Sequence, residues 1–185
     1  MRPPPPLLAL AAGLAQRALT PGASSPPPAR ALLATAIAGT SAGLATASAW
    51  QFRRQGTTVE PFDPSRAAVL VTTGVNTITR NPMYVGMAGS LVANAVRRGS
   101  WAALVPAAAF VLVIDRWQIA AEEPALLANF GADYEAYRAS VPRWLDRRSL
   151  TIGRGSGEAF QLVFAGQGFV VVQASEGRLV APHTH

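Results

Sequence analysis

The sequence predicts an all-α integral membrane protein: about four membrane helices including a helical hairpin, a C-terminal amphipathic helix, and a short β-hairpin tail. Three observations predict it. Half of the 185 residues are hydrophobic and only 14% are charged, against roughly a quarter in an average soluble domain. Mean hydropathy is +0.22. Every basic residue is Arg, with no Lys, and the arginines sit in the polar gaps between apolar runs, as membrane flanks do.

Several chemistries are excluded at once. There is no Cys, so disulfides, thiolate metal sites and cysteine nucleophiles do not arise. The two histidines, His183 and His185, stand at the far end, which argues against a histidine triad or zinc cage, and no metal is expected. The net charge of +6 raises nucleic-acid binding. The placement of the arginines fits a lipid bilayer better, so no nucleic-acid partner is expected.

Each element follows in turn. Pro3 to Pro6 enforce an extended entry. The Leu/Ala run from Leu7 to Leu19 falls short of the roughly 20 residues a crossing takes. It is read as a first membrane helix, tilted or partly embedded, in preference to a cleaved signal. A Pro/Ser/Gly linker spans Thr20 to Pro28. Arg30 to Trp50 is a span with no charge after Arg30, rich in small residues that pack closely in lipid, with Trp50 and Phe52 at the interface and Arg53 and Arg54 beyond it. From Gln51 to Arg80 the chain is polar, and Gly56, Pro61 and Pro64 prevent a long helix. A structured loop is expected there, with a short helix near Ser65 to Val71.

Asn81 and Pro82 open the next helix as N-cap and first helical residue. It runs to about Val96, and Arg97-Arg98-Gly99-Ser100 turn the chain into a second arm from Trp101 to about Leu127. At 1.5 Å per residue the first arm reaches roughly 24 Å, so its Arg pair snorkels to the surface. Gly131 breaks the pattern. Asp133 to Val141 is amphipathic, with Tyr134, Tyr137, Arg138 and Val141 on one face. The tail alternates apolar and polar residues about Gly166-Gln167-Gly168, a β-hairpin pattern that needs a partner surface. The expected units are 1–50 (membrane helices), 51–148 (core) and 149–185 (tail). Counting Arg residues by loop favours both ends of a four-span core in the cytoplasm, although Arg97 and Arg98 count against it.

Three sequence features carry possible chemistry: Arg80-Asn81-Pro82-Met83-Tyr84-Val85-Gly86, Glu122-Glu123-Pro124, and Phe130 to Pro142 with its tyrosines. Ionisable groups near a membrane helix end are costly unless paired or hydrated. By helical spacing, Arg116 shares a face with Glu123 and Asp115 with Glu122. Adjacent carboxylates repel, and a cationic ligand would relieve them. A solvated helix end explains the Glu pair equally well at this level. Tyr84, Met87, Leu91 and Asn94 share one face of the first arm. Gly86, Ser90 and Ala93 form another, small enough for close helix contact. Asn94 in lipid must find a partner, and Asn81-Pro82 could be only a cap.

The combination "RNPMYVG", "AEEPALLANFGADYEAYRASVP" resembles the superfamily of isoprenylcysteine carboxyl methyltransferases and phospholipid N-methyltransferases. These are small integral-membrane enzymes, and the resemblance covers about Phe52 to Trp144. "NPMY" and "EEP" look like the phospholipid branch; the tyrosine segment looks like the isoprenylcysteine branch. The resemblance implies S-adenosylmethionine as methyl donor and a lipophilic acceptor, either an isoprenylcysteine-type carboxylate or a phospholipid amine. It also implies a multi-pass protein of the bacterial inner membrane with a cytoplasmic catalytic face. Carried over, Arg80, Asn81, Pro82, Tyr84 and Gly86 line the cofactor cleft. Glu122 and Glu123 are the catalytic acids and bind the methionyl end or the substrate, while Tyr134, Tyr137 and Arg138 close the cleft. Two departures bear on the acceptor: Gly74-Val75-Asn76 replaces the usual Gly-Pro-Tyr or Gly-Pro-Phe, and Asn81 replaces the commoner His. "SGEAFQLVFAGQGFVVVQASEG" resembles the end of the altered-inheritance-of-mitochondria family of β-proteins, with no activity implied. Two alternatives stand beside methyl transfer: a membrane scaffold that keeps the fold without catalysis, and a related nicotinamide-dependent membrane reductase. No phosphate-cradling Gly-rich loop favours the reductase.

Overall fold

The computed structural model describes residues 2–54 and 69–146, and among these every regular element is helical. The predicted β-hairpin tail, with its expected unit 149–185, lies outside the described residues. So does most of the short helix expected near Ser65; its end at 69–71 is not helical.

Helix α1 (Pro5–Leu19) begins two residues earlier than the proline run suggests. Prolines are tolerated in a first helical turn, where the missing N–H has no intrahelical partner to lose, so Pro5 and Pro6 start the helix rather than precede it. Helix α2 (Pro28–Arg54) continues past Trp50 for another turn. There the Arg54 guanidinium lies 3.9 Å from the Trp50 ring centroid, a cation–π contact suited to an interface. A short 3-10 turn (Gly74–Thr77) precedes α3 (Pro82–Arg98). Gly99 closes α3 with φ 64°, its N–H bonded to the carbonyls of Ala95 and Val96. This left-handed cap suits glycine, and it makes the hairpin turn that the sequence marks.

The second arm is one helical run, Trp101–Ser140, with two irregularities. Helix α4 (Leu104–Val113) widens into a π-helical turn, Ile114–Ile119, before α5 (Ala120–Ser140). Pro124 lies just inside α5 and cannot donate to the Ala120 carbonyl, so the hydrogen-bond ladder is disturbed at this point. Gly131, at φ 50° and ψ −123°, breaks α5 where the sequence places a break.

Two runs are long and apolar enough to cross a bilayer, Pro28–Arg54 and Trp101–Ser140. Helices α1 and α3 are shorter, at 15 and 17 residues. α1 runs alongside α3 in the same direction, while α2 and α4 run against it. Small residues set the α2–α3 spacing: a Cβ at Gly86 would stand 2.7 Å from the Ser41 carbonyl oxygen and 2.9 Å from Ala45 Cβ. A Cβ at Gly89 would strike the Ser41 side chain. The core is modest: Tyr84, Leu91, Ala107, Phe110, Ile114 and Ile119, packed by Leu8, Met87 and Trp144. Meanwhile Leu7, Leu10, Leu14, Leu32, Leu33 and Leu112 lie exposed. So many outward leucines around a small-residue interior is the arrangement expected where lipid is the solvent.

Candidate active site

Two short segments build the site by zipping together. Thr79, Arg80 and Asn81, just before α3, meet Val141, Pro142 and Arg143, just after α5. Arg80 N–H donates to the Pro142 carbonyl at 2.9 Å, and Arg80 Nε to the Val141 carbonyl at 3.0 Å. Thr79 Oγ1 and Asn81 Nδ2 both donate to the Arg143 carbonyl, each at 3.0 Å. Asn81 does occupy the N-cap position of α3, but its side chain makes no capping bond. It fixes the returning chain instead. Pro82 is buried as the first helical residue.

This junction brings Arg80 and Arg143 to the acids. Glu123 Oε1 accepts from Arg80 Nη1 at 2.9 Å and from Arg143 Nε at 3.0 Å. Glu123 Oε2 accepts from Arg143 Nη2 at 2.6 Å. The Glu123 and Arg80 side chains are only 14% and 10% exposed, so this is a largely desolvated cluster with charge-assisted bonds. Arg143 also donates from Nη1 to Asp115 Oδ1 at 3.1 Å, where Trp144 Nε1 adds a bond of 2.8 Å. The hydrogen-bonded Glu123 carboxylate, with Asp115 beside it, raises the Arg143 guanidinium above its ordinary pKa.

Glu122 is held differently. Its Oε1 accepts from Tyr84 O–H at 2.8 Å and from Gln118 Nε2 at 2.7 Å, both neutral donors. Among the described residues no guanidinium stands within ion-pair distance of it; only Arg2 reaches it, as a longer-range charge. Oε2 accepts no hydrogen bond from any described residue. The two neighbouring acids therefore differ: Glu123 is paired directly with two guanidiniums, whereas Glu122 has neutral donors and only the longer-range charge of Arg2.

Both carboxylates line a cavity of about 100 Å³, together with Asn76, Arg80, Asn81 and the two tyrosines. Tyr134 O–H is bonded to Arg80 Nη1 at 3.0 Å, and Tyr137 donates to the Asn76 carbonyl at 2.8 Å. Their rings meet edge to face, with centroids 6.5 Å apart, and pack with Val141 against Leu70, Leu126, Leu127 and Phe130. Asn76 in turn reaches α2, donating to Gln51 Oε1 at 3.3 Å.

Of the residues singled out in the sequence, Arg80, Asn81, Glu122, Glu123, Tyr134 and Tyr137 thus converge on one cavity. Tyr84 reaches it through Glu122. Four expectations change. Pro82 is buried at the start of α3 and is not among the residues that line the cavity. Gly86 does not line the cavity; its missing side chain lets α3 approach α2. Arg138 is exposed and also stands outside the cavity. Arg116 does not join Glu123: it bonds Asp115 at 3.2 Å and is 79% exposed. The π-helical turn alters the helical phase, so that Arg143 bridges Asp115 and Glu123. Arg143, Gln118 and Asn76 were not anticipated. The one signal for Arg143 was an excess of buried acid that required a cation.

At the opposite end, Gln16 is completely buried. Its Nε2 donates to the carbonyls of Leu91 and Ala103, both at 2.8 Å, and its Oε1 accepts from Asn94 Nδ2 at 2.7 Å. The partner that Asn94 requires is therefore on α1.

Comparison with known proteins adds to this geometry. A family model described as phospholipid methyltransferase matches residues 29–133, more than half of the chain. An uncharacterized protein of Haemophilus influenzae is 38% identical over 63 residues, which is 34% of this chain and all of that protein. No solved structure matches the chain.

Proposed function

The chain belongs to the phospholipid methyltransferase family, and on that premise we propose that it transfers a methyl group from S-adenosylmethionine to the amine of a lipid headgroup. We place the reaction at the cytoplasmic face of a bacterial inner membrane, in a protein that crosses it with four helices. The observation that carries the choice of acceptor is Glu122. Within the cluster, Arg80 and Arg143 pair with Glu123 and Asp115, which leaves Glu122 without an ion-pair partner among the described residues and with only the longer-range charge of Arg2 to offset it. A cavity with that negative charge attracts an ammonium group and repels a carboxylate, so an amine acceptor is favoured over an isoprenylcysteine-type acid.

The residues fit the cofactor's methionyl end. Arg80 Nη2 donates no hydrogen bond to any described residue and is suited, with Asn81, to the methionyl carboxylate. The cavity of about 100 Å³ is too small for the whole cofactor, so only its methionyl end is assigned to it. When bound, S-adenosylmethionine supplies a methyl group on a sulfonium sulfur that departs as a neutral thioether. The chain's own work concerns the acceptor. Glu122 Oε2 holds the headgroup ammonium and accepts its proton, which frees the nitrogen lone pair for in-line attack. Tyr84 and Gln118 fix the carboxylate through Oε1 and leave Oε2 without a hydrogen bond from any described residue. Tyr134 and Tyr137 wall the site against water.

The test uses detergent-purified protein, labelled S-adenosylmethionine and a total lipid extract. Label is expected in an amine-bearing phospholipid and resists mild base. A base-labile methyl ester would overturn the amine assignment. Absence of both transfer and calorimetric S-adenosylhomocysteine binding would overturn methyl transfer and favour a non-catalytic scaffold.

A further inference from the structure

Among the described residues, the end of the bundle away from the active site carries cations that pair with no acid. Arg17 closes α1, Arg30 opens α2, and Arg97 and Arg98 close α3. The sequence has no Asp or Glu in residues 1–59 or 64–114. In a low-dielectric setting such a concentration of one sign calls for counter-charge from outside the chain.

An open pocket of about 530 Å³ lies in this region, lined by Leu14, Arg17, Thr20, Pro21 and Arg98, among others. Its floor is fixed: Arg98 Nη1 donates to Thr20 Oγ1 at 2.9 Å, and Thr20 Oγ1 donates to the Gln16 carbonyl at 2.7 Å. The Arg98 Nε is buried and has no hydrogen-bond partner, and the same is true of Arg30 Nε. The Arg30 guanidinium lies against Gly99, where a Cβ would stand 2.6 Å from Cζ. Buried donors without acceptors are rare, because each forfeits its hydration. The pocket is thus edged by two guanidiniums, Arg17 and Arg98, and Arg98 also carries a buried Nε without a hydrogen-bond partner.

We propose that this pocket binds the phosphate of an anionic lipid headgroup. Guanidinium donors match phosphate oxygens in geometry and charge, and among the described residues no carboxylate lines the pocket to repel an anion. The lipid is favoured over free phosphate by the surface beside the pocket. Leu7, Leu10 and Leu14 lie 56%, 59% and 60% exposed along α1 and form an apolar stripe that ends at Arg17. A headgroup in the pocket would lay its acyl chains along that stripe. The inference is independent of the methyl-transfer reading.

The test is a titration of purified protein in neutral detergent with phosphatidylglycerol, phosphatidylcholine or inorganic phosphate, with bound ligand counted by native mass spectrometry. Saturable binding of one phosphatidylglycerol, in preference to phosphatidylcholine, is expected. Arg98→Gln should weaken it roughly tenfold, the effect of losing charged hydrogen bonds. Arg17 is exposed and its side chain makes no hydrogen bond or ion pair with any described residue, so Arg17→Gln should weaken binding similarly without disturbing folding. Arg97→Gln removes the same charge from the same end but lies outside the pocket, and should change binding less than about threefold. Equal losses in all three variants would overturn the site in favour of diffuse charge attraction. No preference for phosphatidylglycerol would overturn it outright, and displacement by equimolar inorganic phosphate would overturn the lipid assignment.

Discussion

Replacing Glu123 by Gln should destabilise the protein, whereas replacing its neighbour Glu122 should not. Glu123 accepts three guanidinium bonds, of 2.9, 3.0 and 2.6 Å. Its partner Arg80 is only 10% exposed. Removing one member of a buried ion pair leaves the other charged and desolvated, at a cost of about 3–5 kcal/mol. Arg143 is 32% exposed and keeps Asp115, which puts the expectation at the lower end, about 3 kcal/mol. For a chain of this size each kcal/mol shifts the midpoint by about 2–4 °C, so a fall of roughly 6–12 °C follows. Glu122 has only neutral donors, and a Gln there keeps an acceptor for Tyr84 while removing a charge without an ion-pair partner among the described residues. Its midpoint should hold or rise slightly, as happens where a functional charge is kept at the expense of stability. Thermal denaturation in detergent, followed by tryptophan fluorescence, measures both. If Glu122→Gln falls as far as Glu123→Gln, the distinction between the two acids is wrong.

Other outcomes follow from the same contacts. Gly86→Ala places a methyl 2.7 Å from the Ser41 carbonyl oxygen and should cost about 1–3 kcal/mol of overpacking, seen as a lower denaturation midpoint. Gln16→Leu strips hydrogen bonds from the Leu91 and Ala103 carbonyls and from Asn94. A loss of about 2–4 kcal/mol is expected, with no change in S-adenosylhomocysteine affinity, because the cluster lies far from the cavity. Tyr84→Phe removes the 2.8 Å bond to Glu122 and should lower kcat by roughly tenfold, with little change in KM, if Tyr84 is a positioning residue.

How much of this was legible in the sequence depended on whether the signal was local. Asn81-Pro82 and Arg97-Arg98-Gly99 mark helix ends through backbone preferences that need no tertiary partner, and the structure places the ends of α3 there. Gly131 likewise breaks α5 by its own conformation. The small-residue face of α3 read in part: Gly86 lies against α2 and Ala93 is buried, but Ser90 is exposed and Gly89 makes the second close contact. What failed depended on phase and on distant partners. The π-helical turn shifts the phase after Ile114, so the faces that ideal spacing gives Asp115 and Arg116 do not foretell their partners: Asp115 meets Arg143, which also holds Glu123, and Arg116 is exposed. Arg143 sits in an irregular segment after α5, with no periodicity to aim it at Glu123. The need of Asn94 for a partner was predictable on energetic grounds, but nothing in its own helix pointed to Gln16.

The claim on which the account rests is that Glu122 is the acid that receives the acceptor's charge and proton. The most direct measurement compares single-turnover methyl transfer by wild type and Glu122→Gln, each shown by calorimetry to bind S-adenosylhomocysteine. The account predicts binding within about threefold of wild type and a rate lower by roughly 10²–10⁴, the usual worth of a positioned general base. A Glu122→Gln protein that binds and transfers methyl groups at the wild-type rate would contradict it.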